Sequence, residues 1–245
     1  MESNISSKNI IEKLNKYKND GYIFRGMIDI EYSLSPSIYR ILCGANCKAE
    51  AYEDVDHKIE ETRKFIELIG GDDEDKIFNY FAIQHLGVDT KLLDFTFDPY
   101  VALWFAINEW EISKKDTNKD GIIYVVDRTQ FRSVNTDDYD LLKAILFDSN
   151  EQVSSIKEEI CGEKRSVDNR GILFLKPGNG LISIKRISNQ KSCFLLFPPY
   201  AEAIYELDRN DKAIVDKIII PKESKSELSE YLNNKGITRA FIKEV

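Results

Sequence analysis

Only two histidines, His57 and His85, occur in 245 residues, and that scarcity removes most imidazole chemistry at the outset. A histidine-based metal centre needs several such ligands, and no His-Glu-x-x-His spacing supplies them. The four cysteines include one close pair, Cys43 and Cys47, whose C-x3-C spacing has no second pair and no neighbouring histidine. Structural zinc is not expected, and no metal is assigned; Cys161 and Cys193 read as ordinary reduced thiols. There is no charged-then-apolar leader and no apolar run of about 18 residues, so secretion and membrane spanning are not indicated and a cytoplasmic location is expected. A Ser-His-Asp order, a P-loop and a Gly-rich dinucleotide fingerprint are all missing. Lysine and arginine (34) fall short of aspartate and glutamate (42), a net charge of −8 that argues against nucleic-acid binding through overall charge while leaving a local basic patch open.

What is present is enough apolar residue, 42%, to bury a sizeable core, and the expected organisation is one domain over 1–245. The chain is organised around 81–107. Gly87 can adopt φ > 0 and end a helix carrying Gln84 and His85, a short strand follows between Thr90 and Thr96, and Asp98-Pro99 supplies an N-cap and a first-turn proline for the next helix. That helix, from Pro99 to about Trp110, is apolar nearly all round and so is expected to be buried on most faces. Asp94, Thr96 and Asp98 are thereby held as a polar cluster at the mouth of an apolar element.

Elsewhere the periodicity predicts a helix over 6–20 capped by Ser6 or Ser7, a strand Tyr22-Ile23-Phe24 that delivers Arg25 just before Gly26, and an extended edge segment over 32–40. A long amphipathic helix over 49–69 follows, with Tyr52, Val55, Ile59, Ile66 and Ile69 facing inward and His57 in solvent, ended by Gly70-Gly71. The next helix begins among Asp72 to Asp75. Residues 121–126 read as a strand buried on both faces, and 137–161 as a helical insertion. Strands are predicted over 171–175, 181–187, 192–197 and 214–220, then a helix opened by a Ser224/Glu227 capping box, then a last strand over 238–242.

Three features admit two readings each. Arg25 before Gly26 places a forked cation where backbone approaches a ligand, or pairs it with a structural carboxylate. His85 at a helix C-terminus either gains from the dipole and free carbonyls or lines a pocket. From Lys164 to Lys191 there are seven basic residues (Lys164, Arg165, Arg170, Lys176, Lys185, Arg186, Lys191) and one acid, Asp168, which mark either a polyanion-binding face or the solvent side of strands.

Tyr22-Ile-Phe-Arg-Gly26, Leu34-Ser-Pro-Ser-Ile-Tyr-Arg40, Gln84-His-Leu-Gly-Val-Asp-Thr-Lys-Leu-Leu-Asp-Phe-Thr96 with Ala102 and Phe105-Ala106, and Arg186-Ile-Ser-Asn-Gln190 with Phe194 resemble the FRG domain family, whose name is its Phe-Arg-Gly motif. The chain departs from the family's glutamine at Met27, its Pro-Thr-Arg at Asp89-Thr-Lys91 and its tryptophan at Phe95. Members resemble bacterial accessory or phage-defence proteins. A more distant resemblance is to ADP-ribosyltransferases of the arginine-serine-glutamate type: Phe24-Arg25, Asp94-Phe-Thr96 running into Ala102–Ala106, Ile122–Val126, and Asn189-Gln190 leading into Phe194–Phe197 follow a similar order and spacing.

The second resemblance implies catalytic roles for Arg25, Thr96 and Gln190, with NAD as substrate and Arg25, Gly26, Gln84, His85, Asp94, Thr96 and Arg186 around it. Arg25 would hold the phosphates, Thr96 brace the ribose side, and Gln190 stand where the family has glutamate. A neutral Gln190 cannot supply negative charge to an oxocarbenium-like state, so either Asp94 or Glu202 compensates or the site binds without turnover. Three functions are thus carried forward: an ADP-ribosyltransferase-like or NAD-consuming effector with a protein or nucleic-acid acceptor, a non-catalytic nucleotide-sensing or partner-binding module, and a nuclease or nucleic-acid-binding accessory protein using Asp94, Asp98 and the basic run. The expected fold is α+β and ADP-ribosyltransferase-like, a mixed, mostly antiparallel sheet with helices around it.

Overall fold

The computed structural model describes residues 6–19, 21–42, 49–85, 87–108, 118–136, 142–143, 146, 172–197, 207 and 209–243. Seven strands are formed: β1 Tyr22–Met27, β2 Leu92–Thr96, β3 Gly121–Asp127, β4 Arg132–Asn135, β5 Leu173–Lys176, β6 Ser192–Leu196 and β7 Ile214–Ile220. They make one sheet in the order β4-β5-β6-β2-β1-β3-β7, antiparallel at every joint except β4–β5. The fold is α+β with a mixed sheet and helices around it, as expected at that level.

The helices are α1 Ser7–Lys16, α2 Ala49–Ile69, α3 Asp73–His85, α4 Pro99–Ile107, the short α5 Asn179–Ile182 and α6 Lys185–Asn189, then α7 Lys225–Asn234 and α8 Arg239–Lys243. Alternation along the strands sends Ile23, Leu93, Phe95, Tyr124 and Leu195 into one core with a 3-10 turn (Ser37–Leu42) and Val55 of α2. The opposite face carries two further cores. One joins Phe24, Ile123 and Val125 to α1, α4 and α7, and the other joins Leu92, Leu175 and Phe194 to α3 and to Leu181 and Ile187.

The apolar α4 sits directly on the sheet because two strands present no side chain beneath it. A Cβ on Gly26 of β1 would lie 1.7 Å from the Ala102 carbonyl oxygen, and one on Gly121 of β3 would lie 2.2 Å from that of Ala106. Two alanines four apart on α4 thus meet two glycines on paired strands, which lets backbone lie against backbone. The close approach that Gly26 permits is therefore to α4. The helix opens as expected: Pro99 is in its first turn and the Asp98 carboxylate accepts from the Tyr100 N–H at 2.9 Å. Gly87, at φ 90°, ends the preceding segment.

Several elements differ from the sequence reading. The first helix covers Ser7–Lys16, shorter than 6–20, capped by Ser6 and closed at Tyr17 before Gly21 is reached. Residues 181–187 are not a strand: they fall in α5, a two-residue turn and α6, where Leu181 and Ile187 are buried and Ile182 is 48% exposed, a burial pattern without period two. Residues 238–242 belong mainly to the helix α8, whose buried side chain is Ile242. Residues 32–40 run into the 3-10 turn after Ser37. The capping box does not form, because Glu227 accepts instead from the Ser7 hydroxyl and so ties α7 to α1. At the end of α2, Ile69 is exposed together with Leu68. The proposed insertion over 137–161 lies outside the described residues apart from Leu142, Lys143 and Leu146, which are helical.

Candidate functional site

Strands β1 and β2 are paired at one position, Phe24 opposite Thr96. Continuing that antiparallel register would set Gly26 opposite Asp94, but the strands part there, and the fork opens into a cavity of about 420 Å³. Its walls carry Arg25, Gly26, Gln84, Asp94, Thr96, Arg186 and Gln190, so seven of the eight residues singled out from the sequence share one space. The eighth, His85, ends α3, and its side chain is outside the described set. Phe24, Phe95 and Phe105 supply apolar wall, and Ser37, Arg40 and Asp89 complete the polar lining. The volume falls in the range of small-molecule sites, roughly 300–1,000 Å³.

Arg25 bridges the fork. Its Nη1 donates to the Asp94 backbone carbonyl at 2.6 Å, an acceptor that a continued ladder would have used, and its buried Nε has no hydrogen-bond partner. Burial lowers its pKa to about 10, the Asp94 charge opposes that, and nearby Arg40 adds to it. The guanidinium remains a cation at neutral pH. Asp94 favours the Arg25 cation through its charge, yet Arg25 forms no ion pair with a carboxylate among the described residues.

Asp94 is exposed and braced from the far side. One carboxylate oxygen accepts from Gln84 Nε2 at 2.6 Å, and Gln84 Oε1 accepts from the Thr90 hydroxyl at 2.9 Å, which fixes the amide's orientation. The Thr90 backbone N–H in turn donates to Ser37 Oγ at 3.1 Å. Asp89 is neutralised by Lys58 at 2.6 Å. Burial also lowers the pKa of Arg186, again opposed by Asp94, so Asp94 is felt by both guanidiniums.

Thr96 and Gln190 are committed to the fold. The Thr96 hydroxyl donates to the Gln190 carbonyl at 2.6 Å and accepts from the Asp98 N–H at 2.9 Å. Gln190 caps α6 ahead of β6, and its Nε2 donates to the Ile242 carbonyl at 2.9 Å beside a matching bond from Asn189 to Phe241. The two amides pin α8 to the sheet's edge of the cavity. Lys191, which turns the chain into β6 at φ 46°, pairs with Asp98 at 2.8 Å. Of the basic run, Lys164, Arg165 and Arg170 lie outside the described residues, as does Glu202.

Among the described residues no group of three or more His, Cys, Asp or Glu side chains is placed to hold a metal ion, and no helix is long and apolar enough to cross a membrane. The sequence reading gave no role to Arg40 or Ser37. Both lie in the quoted Leu34–Arg40 stretch, but nothing local distinguished a pocket arginine there from a surface one. What the assembled cavity offers is cationic hydrogen-bond donors, one exposed carboxylate and aromatic wall. A family model described as the FRG domain matches residues 20–116, which include β1, β2, α4 and most of the cavity. No curated protein and no solved structure matches the chain.

Proposed function

We propose that the FRG stretch and the strands that complete its cavity form a binding module for a nucleotide or dinucleotide of the NAD type. One observation carries this reading: a half-buried arginine with an unpartnered Nε and no carboxylate partner stands in the wall of a small-molecule-sized cavity. A buried cation without a counter-ion is costly, and a phosphate supplied by a ligand relieves that cost with charge-assisted, bidentate bonds. Phe24, Phe95 and Phe105 supply the apolar surface that a nucleotide's uncharged parts require.

Binding without turnover is the reading favoured over transfer. The Thr96 hydroxyl has both of its bonds within the fold, and Gln190 spends an amide N–H on α8. One observation favours ADP-ribosyl transfer as a second reading: Asp94 is exposed within the same cavity and could provide the negative charge that Gln190 lacks. NAD would then be the substrate and the source of the ADP-ribosyl group. Titration calorimetry with NAD and ADP-ribose, followed by chromatography of the NAD, tests the two. Binding with intact NAD is expected; NAD loss would favour the transferase, and absence of binding would remove the nucleotide reading.

A further inference from the structure

Lys58, Glu61, Thr62 and Phe65 fall at helical spacing on one stripe of α2, and that stripe does not close against the loop it faces. Between it and Val88–Asp89 lies a hollow of about 270 Å³. Val88 and Asp89 also line the cavity, so the two spaces share a wall. That wall is fixed to α2 through both side chain and backbone: Lys58 pairs with the Asp89 carboxylate at 2.6 Å, and the Thr62 hydroxyl donates to the Asp89 carbonyl at 3.0 Å. The hollow is therefore preformed, as ligand sites usually are.

Its chemistry differs from that of the cavity. Phe65 is 42% exposed and its ring meets no other aromatic ring among the described residues, although Ile66 beside it is fully buried. An open aromatic face near half-buried Val88 suits a flat, largely apolar surface. The polar edge holds carboxylates: Glu61, and the Asp89 oxygen that Lys58 leaves without a hydrogen-bond partner among the described residues. With Lys58 spent on Asp89, such an edge accepts from N–H groups and repels phosphate. At 270 Å³ the hollow is smaller than a whole small-molecule site, roughly 300–1,000 Å³, and has room for one ring system. We infer that it is a second subsite, taking a heteroaromatic ring that bears an amino or carboxamide group, with the ring stacked on Phe65 and its N–H donated to Asp89. The chain then selects a dinucleotide, held by both rings, over ligands that carry one. The inference rests on the nucleotide reading above and adds to it a ring subsite on α2 and Phe65 as the residue that sets the preference.

The test measures NAD, ADP-ribose and nicotinamide mononucleotide by calorimetry on the whole chain, in the wild type, Phe65→Ala and Phe65→Tyr, with thermal melts as a check on folding. NAD carries two rings, and each of the other ligands carries one. The wild type should bind NAD more tightly than either fragment. Phe65→Ala should weaken NAD about tenfold, within the range for a base stacked on an aromatic side chain, and leave unchanged the fragment that lacks the ring held in the hollow. Phe65→Tyr keeps the ring and should retain wild-type affinity. NAD bound no more tightly than the better fragment, no weakening by Phe65→Ala, or an equal loss for all three ligands would overturn the inference while leaving the nucleotide reading intact. A wild type that binds none of the three would overturn both.

Discussion

Gly26 and Ala102 meet where helix α4 rests on the sheet, so closely that a side-chain carbon on Gly26 would fall 1.7 Å from the Ala102 carbonyl oxygen. The glycine of the Phe24-Arg25-Gly26 sequence is thus a packing residue, and Arg25 beside it is the one that brings charge to the cavity. Gly26→Ala should force α4 off the sheet and cost about 3 kcal/mol or more, at or beyond the usual range for overpacking. Urea denaturation checks this, and a wild-type midpoint would show that the helix can shift freely.

Thr96 is expected to matter to stability more than to ligand contact. Thr96→Val removes a donor to the Gln190 carbonyl and an acceptor for the Asp98 N–H at a site 5% exposed. A loss of about 2 kcal/mol follows from leaving such groups unmet, and Thr96→Ser should recover most of it. Equal stability of the valine and serine variants would contradict the assignment.

Placing a glutamate at position 190 should not create a transferase. Gln190→Glu replaces the amide N–H that binds the Ile242 carbonyl with a carboxylate oxygen facing another oxygen, so α8 should loosen and the melting temperature fall. Hydrogen exchange over 239–243 reads this directly. Gain of NAD-consuming activity with undisturbed α8 amides would favour the transferase reading instead.

Lys91 provides a pH signature. It is 3% exposed, its Nζ donates to the Leu146 carbonyl at 3.4 Å, and burial lowers its pKa from 10.5 to about 8. The folded state therefore holds its proton less tightly than the unfolded chain. The resulting penalty is full below about pH 8 and fades as pH rises towards 10.5. Between pH 7.5 and 10 the wild type should gain stability relative to Lys91→Met, by up to ~3 kcal/mol. A constant difference across that range would mean that Lys91 titrates normally.

The sequence made the centre of this fold readable because local chemistry decided it. Asp98-Pro99 opens α4 and the apolar run of Gly121–Asp127 forms β3 as local rules require, and Gly87 takes positive φ. The cavity residues Arg25, Gln84, Asp94, Thr96, Arg186 and Gln190 are legible through the motif resemblances rather than through local rules. What stayed hidden depends on contacts across the chain. Residues 181–187 carry four apolar residues and read as a strand, yet they form parts of α5 and α6 joined by a turn, with Leu181 and Ile187 buried in the α3 core. Strand β4 has one buried residue, Val134, and no periodic signal to announce it. The commitment of Thr96 and Gln190 to backbone partners is likewise a tertiary fact, set by positions 94 residues apart.

The most direct measurement is the affinity of Arg25→Gln for ADP-ribose, read by calorimetry beside a melt of the same variant. Loss of the cation that bridges the fork, whose Nε has no hydrogen-bond partner among the described residues, should weaken binding at least tenfold, the scale of one charge-assisted bond, with the variant still folded. A folded Arg25→Gln protein that binds ADP-ribose as tightly as the wild type would contradict the account.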